Sequence, residues 1–530
     1  MKHTSTLQPL TQKHANLLLG LVIALILSPY LVVSLLANDA GLIGFFPDDA
    51  FYYLKTARNL IALGSASFDG INPTNGFHPL YFLIATLLAA LTPFAWYLKI
   101  IFLFHVATIW LAIFMLLYPV KRVPLFWRVF IAAVLACPIP FLFVWLSAGM
   151  ESALVILCTV LLCNAGLAAS QSDFRNRPAN LWLGTTMALY MLARLDLVLT
   201  LIPFGVWILY RQTKQSHGLS AAIKNLITIF LIPLGSGICY LAFNIISTGH
   251  IMPVSAAVKH VFVLPFMASW LASTGNGNPV LSALALLPLL IAAMVLIDYF
   301  RGTGRAVFAL VACSIIIYAF YLVFGASNFF RWYFAMPEAA GAWLAARWIM
   351  EKNWQVKAGS TIKIVASVIL VSVALVSNLF FVRAISNNTK SVSWQLLQIA
   401  GELERVSQPC DIAAVFDAGV IGYFSNRTVI NLDGLANSYS YLDEYRKPKK
   451  FTEYLDKQGV NIFILRDQLA DNSQEIDAGS YEFAQFSEDK RLRLDRHDEL
   501  FRHVIPGTFT VIAYRYNSGN KAPRQCATHP

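Results

Sequence analysis

The chain is cut into apolar runs of helical length, separated by short groups of lysine and arginine. Such runs leave few folds open. About 20 consecutive apolar residues cross the hydrocarbon core of a bilayer as a helix, and a helix satisfies its own backbone there. Hydrophobic residues make up 57% of the 530 residues and charged residues 13%. A soluble domain carries about a quarter charged residues, so no soluble core absorbs this much apolar surface. The formal charge is +11. In a nucleic-acid binder the basic residues would cluster among aromatics. Here they lie between apolar runs, which speaks for membrane topology and against a nucleic-acid partner.

The segment before the first run holds Lys2 and Lys13 and no acid, which puts the N-terminus in the cytoplasm. No small-residue cleavage site follows that run, so it reads as a retained helix. One assignment makes all five later cationic groups cytoplasmic: Lys121, Arg122 and Arg128; Arg175 and Arg177; Arg211, Lys214 and Lys224; Arg301 and Arg305; Arg347, Lys352 and Lys357. It needs eleven spans, near 16–36, 97–118, 126–147, 152–170, 180–193, 197–210, 225–246, 279–299, 306–326, 333–349 and 361–382. The run 79–92, ended by Pro93, would invert every later loop if it crossed, so it reads as re-entrant or interfacial. The expected fold is a polytopic α-helical membrane domain over 1–384, with a first outer loop at 37–78, and a small extracytoplasmic α/β domain over 385–530. In that tail 411–416, 428–432 and 461–465 read as strands and 450–458 as a helix. The seven cysteines show no metal-ligand spacing, and Cys410 and Cys526 are candidates to pair in an oxidising compartment.

The strongest local signal is Asp48-Asp49, followed by Tyr52 and Tyr53, in the first outer loop. Adjacent carboxylates repel, so they persist beside a cation, a metal or solvent. The pattern Tyr52, Tyr53, Ala57, Leu60, Ile61 suits a helix lying on the membrane surface. On local grounds two readings stay open: a reactive pair, or a helix cap. Downstream, SFDGINPTNGFHPL crowds Asn72, Asn75 and His78 among Gly and Pro. Glu151, Arg194 with Asp196, Lys259 and Arg331-Trp332-Tyr333 all fall at expected outer helix ends. Taken as a set, acids and cations on one side suit a phosphate-plus-sugar site. His260 and Ser255 belong to the same outer stretch.

At these residues the chain resembles the GT-C superfamily of polyprenyl-phosphate-sugar-dependent glycosyltransferases. The stretches that carry the likeness are PDDAFYYLKTARNL, FDGINPTNGFHPL, SAGMESAL, ARLD, PVSAAVK and, in the tail, DAGVIGYFSNRTVINLDGLAN. The resemblance implies Asp48 as catalytic base with Asp49 as its partner, and Glu151 in place of the second-loop acid. It implies Lys259 and Arg331 as holders of the donor phosphate. Tyr52, Asn75, His78, Arg194, Asp196 and Tyr333, read from their place on the same side, are the further candidates to bind substrate. The resemblance gives no metal as required, with Asp49 and Glu151 as the possible ligands of a divalent cation, since a DxD motif is absent. The implied partners are a polyprenyl-phosphate sugar, a glycan, lipid or protein acceptor, and membrane lipids, in an inner membrane with the tail outside. Two other readings compete: a transporter or flippase of a lipid-linked saccharide, and a non-catalytic envelope-assembly subunit. Transporters tend to carry repeats and midplane polar residues, and no repeat is visible here.

Overall fold

The structure is a computed structural model that describes residues 12–118, 123–214, 219–259, 279–303, 305–325, 330–351, 360–448, 450–467, 496–505 and 509–516. Each of the eleven expected runs is helical. The first, Gln12–Ile26 with Ser28–Leu36, bends by 52° at Leu27. The third, Leu125–Ala136 with Ile139–Trp145, bends by 55°. Pro29 and Pro138 stand at these breaks. Proline has no N–H to donate and clashes with the preceding turn.

Among the described residues six helices are long and apolar enough to cross a membrane, or eight if each bent pair is one span. This is fewer than the expected eleven. Arg177–Ala193 and Ala335–Glu351 have 17 residues each. At ~1.5 Å per residue they span about 25 Å, short of a ~30 Å hydrocarbon core. The run 79–92 forms the 13-residue helix Pro79–Leu91, shorter still. The apex between 180 and 210 is a break at Arg194, whose backbone is extended between Arg177–Ala193 and Leu195–Leu201.

The last apolar helix ends at Ser386, and Ser391 caps the next, Val392–Val406, by accepting from the Trp394 N–H. A five-stranded sheet follows: β1 (Ile412–Val415), β2 (Thr428–Asn431), β3 (Ile462–Asp467), β4 (Glu499–Ile505) and β5 (Phe509–Arg515), in the order β2-β1-β3-β5-β4. β1 runs parallel to β2 and β3, and β5 antiparallel to β3 and β4. The expected strands and the helix Phe451–Gln458 are present; β4 and β5 are additional. Cys410 is disulfide-bonded; its expected partner Cys526 lies outside the described residues, as does His260.

The two faces of the sheet serve different cores. Ala414, Ile430, Phe463 and Leu465 pack with Tyr454 and Phe451 in a core of their own. Ala413, Val415, Val429 and Ile464 belong to the apolar cluster that continues into the helical bundle. Burial on both faces explains why these strands read as unbroken apolar runs. Between domain and bundle lies the loop helix Ala50–Leu63, ended by Gly64 at φ +72°. The short helix Gly419–Phe424 packs on it so closely that a Cβ on Gly419 would overlap the Asp48 carbonyl. A Cβ on Gly76 would likewise overlap the Leu435 carbonyl oxygen. These two glycines let the soluble domain seat against the first outer loop.

Candidate active site

Consecutive residues at the start of the loop helix diverge. Asp48 turns to the soluble domain, where its two oxygens accept from Gly419 N at 3.0 Å and Val420 N at 2.7 Å. Asp49 turns to a cavity of about 540 Å³ walled by the first loop, the Arg194 break, the Val254–Lys259 helix and Leu435. Capping and chemistry were the two readings left open for this pair. Asp48 caps, but on a helix from the soluble domain rather than on its own. Asp49, at the N-cap position of Ala50–Leu63, makes no cap hydrogen bond there.

Burial is the main force on both carboxyls. It lifts Asp49 to about 7, with Asp433, Asp48 and Glu151 adding to the rise and the Lys259 ammonium opposing it. It lifts Asp48 to about 6, the two backbone N–H groups holding the rise down. Lys259 lies 4.0 Å from Asp49 and 5.3 Å over the Phe330 ring. Asp49 and Lys259 thus face the cavity as a loose pair, too long for a hydrogen bond.

Opposite them Arg194 is saturated. It donates to Asp196 from Nε at 2.9 Å and to Glu151 from a terminal nitrogen at 3.0 Å, and it stacks 4.0 Å over Tyr333. Asp196 also accepts from the Tyr318 hydroxyl, and Glu151 from the Tyr53 hydroxyl. His78 closes the network, its Nδ1 accepting from Leu195 N at 3.3 Å. Burial lowers the His78 pKa, so the ring is neutral near pH 7. Arg194, Asp196, Glu151, His78, Tyr53 and Tyr333 all line the cavity, as does Tyr52. The Tyr52 hydroxyl donates to Asp433 at 2.9 Å and accepts from Ala418 N and Asn431 Nδ2. Asp433 joins the site through Tyr52, a link the sequence does not announce.

Three expected residues sit elsewhere. Asp48 does not line the cavity. Asn75 is a brace, not a lining residue. Its Oδ1 accepts from Val254 N at 2.9 Å and its amide reaches Asn244 Oδ1 at 3.2 Å, which pins the segment before Lys259. Arg331 is exposed and points no group into the cavity, although its neighbours Trp332 and Tyr333 line it. The carboxylates of Asp49 and Glu151 each already face a cation, Lys259 or Arg194. Among the described residues no three His, Cys, Asp or Glu side chains gather to hold a metal.

Much of the rest of the cavity wall is apolar, from Met191, Val198, Leu199 and Leu241, with Gly237 on the long helix Leu219–Thr248, while Ser255, Tyr240 and Tyr321 add polar groups. One end therefore offers charge and the other hydrocarbon. ArnT from Cupriavidus metallidurans, in the apo state, has the same architecture: TM-score 0.51 at 11% identity, covering 91% of this chain and 97% of that one. The chain has a GT-C fold. A second GT-C structure, the archaeal oligosaccharyltransferase AglB from Archaeoglobus fulgidus with an inhibitory peptide and a dolichol-phosphate, aligns at TM-score 0.46 and 11% identity. That alignment covers 86% of this chain and 69% of AglB. Residues 385–511 match a domain of unknown function, DUF8728. No curated protein matches in sequence. With its GT-C fold and apolar helices, the chain is a multi-pass membrane protein.

Proposed function

We propose that this GT-C chain is a glycosyltransferase that moves a sugar from a polyprenyl-phosphate donor to an acceptor hydroxyl on the outer face of the inner membrane. The observation that carries the reading is the place of Asp49: a half-buried carboxyl that lines the cavity 4.0 Å from Lys259, where burial lifts its pKa to about 7. A base works best when its pKa lies near the working pH. Asp49 takes the proton of the acceptor hydroxyl. The oxygen attacks the anomeric carbon, and the bond from that carbon to the lipid phosphate breaks. The phosphate leaves as an anion held by Lys259. No proton is needed on this leaving group, so one carboxylate suffices where glycosidases use two. Single displacement inverts the anomeric centre. The prenyl tail lies along the apolar wall near Gly237 and Leu241.

The expected base was Asp48; the role passes to Asp49, because Asp48 spends both oxygens on backbone amides. The phosphate falls to Lys259 without Arg331. Arg194 shapes the site through Glu151 and Asp196, and Tyr333 stacks on it. Donor binding also tunes the base. Lys259 lowers the Asp49 pKa, so a phosphate that neutralises Lys259 makes Asp49 more basic when the acceptor needs it.

The test is reconstitution in vesicles with a radiolabelled polyprenyl-phosphate sugar. Covalent transfer to an acceptor, lost in Asp49→Asn, supports the reading. Vectorial movement of the lipid-linked sugar without covalent product would instead establish a transporter.

A further inference from the structure

The loop helix has a second working face. Asp49, Tyr52 and Tyr53 look into the cavity, whereas Lys55, Arg58, Asn59 and Ala62 form the i, i+3, i+4, i+7 stripe of the other side. That stripe walls a separate cleft of about 600 Å³, closed by Arg427, Asn426 and Tyr423 from the soluble domain and Phe94 from the start of a transmembrane helix.

Three cations meet here without a carboxylate partner among the described residues. Lys55 donates to the carbonyls of Gly422 and Arg427 and lies 5.1 Å over the Phe68 ring. Burial draws its pKa down to about 8, with Asp69 opposing. The Arg58 guanidinium stacks 3.5 Å over Phe94 and 6.0 Å from Tyr423. Arg427 donates to Ser407 Oγ and to the carbonyls of Glu404, Ser407 and Asn426. The one acid in the wall, Asp69, is spent. It accepts from Ser67 Oγ, the N–H groups of Ile71 and Asn72, and Asn72 Nδ2. An anion in the cleft therefore displaces no salt bridge.

The rim decides what kind of anion. Leu63 is 59% exposed, Ile71 48% and Phe94 49%, all lining the cleft. Phe94 opens a 24-residue apolar helix, so the rim stands where that helix leaves hydrocarbon. Cations inside and apolar side chains outside fit an amphiphile. The geometry points to a binding site for the phosphate of an anionic phospholipid of the outer leaflet, held by Lys55, Arg58 and Arg427 where loop helix and soluble domain meet. The ligand bridges both parts and fixes the seat of the soluble domain on the membrane. The site stands apart from the transfer reaction and does not depend on it.

The test is native mass spectrometry of the intact protein, released from detergent micelles and titrated separately with phosphatidylglycerol, phosphatidylcholine and inorganic phosphate. One phosphatidylglycerol should be retained in preference to phosphatidylcholine, and millimolar inorganic phosphate should not displace it. Loss of one charge-assisted contact in Arg58→Gln should weaken retention about tenfold. Arg58→Lys, which keeps the charge, should stay near wild type and shows that the site rather than the fold was altered. Equal retention by wild type and Arg58→Gln overturns the proposal. Equal binding of inorganic phosphate overturns the lipid as its source.

Discussion

The soluble domain and the helical bundle receive the loop helix on different terms. On the domain side the acid and the phenol that reach over are paired: Asp48 with two amides, Tyr52 with Asp433, Asn431 and Ala418 N. On the bundle side, Arg194, Glu151 and Asp196 are equally saturated, but Asp49 and Lys259 stand 4.0 Å apart and both line the open cavity. Saturated groups hold position, because breaking one leaves a buried partner unsatisfied. Underpaired charges in a cavity are free to take a substrate. Two neighbouring aspartates thus differ in what each one faces, and the proposed roles follow that difference.

The sharpest way to break this contrast is at Asp49. Asp49→Asn removes the proposed general base, and the transfer rate should fall about 10²–10⁴-fold, read in reconstituted vesicles. Its stability should move the other way. The folded Asp49 pKa is raised to about 7, above the ordinary value of about 3.9. Between those values the folded state binds a proton that the unfolded state does not, so stability falls as pH rises through the window. Asp49→Asn should therefore match wild type in thermal unfolding below about pH 4, gain on it as pH rises and exceed it most by about pH 8.

Lys259→Gln comes next. Loss of a charge aimed at the leaving phosphate should lower kcat about 10²-fold, while Arg331→Gln should leave it near wild type. The contrast on the domain side is smaller. Asp48→Asn removes an acceptor from a buried pair of amides and should cost about 1–3 kcal/mol of domain seating, seen as faster proteolysis between 386 and 392. Its rate should fall less than that of Asp49→Asn. The smallest effect is in pH dependence. Transfer should rise with pH through about 7, following the Asp49 carboxylate, and the inflection of kcat should lie above that of kcat/KM, since bound phosphate masks Lys259.

Much of this was legible in the sequence, and the parts that were not share a cause. The apolar runs and the strands β1 to β3 are local patterns set by solvent, so they read directly. The lengths of the helices do not, since Arg177–Ala193 and Ala335–Glu351 have 17 residues each. β4 carries Glu499, Arg502 and His503 and no continuous apolar run, so it passes for loop, whereas β5 holds the apolar run Val511-Ile512-Ala513-Tyr514 and was legible as a strand. The gathering of Glu151, Arg194, Asp196, His78 and Lys259 at one mouth follows from their common place at helix ends. The split between Asp48 and Asp49 does not, because it is decided by amides at Gly419 and Val420, some 370 residues away. Asn75 and Arg331 misled for the same reason. A polar residue in an outer loop looks alike whether it braces the chain or meets a ligand. The Tyr52–Asp433 link left one trace: the Asp433-Gly434 turn, with Gly434 at φ +82°, a conformation that favours glycine.

The most direct measurement is a side-by-side single-turnover assay of Asp48→Asn and Asp49→Asn with a polyprenyl-phosphate sugar at pH 8. The account expects Asp48→Asn to transfer sugar within about tenfold of wild type, and Asp49→Asn to give no product above background. Transfer by Asp49→Asn at the wild-type rate, with Asp48→Asn inactive, would contradict it.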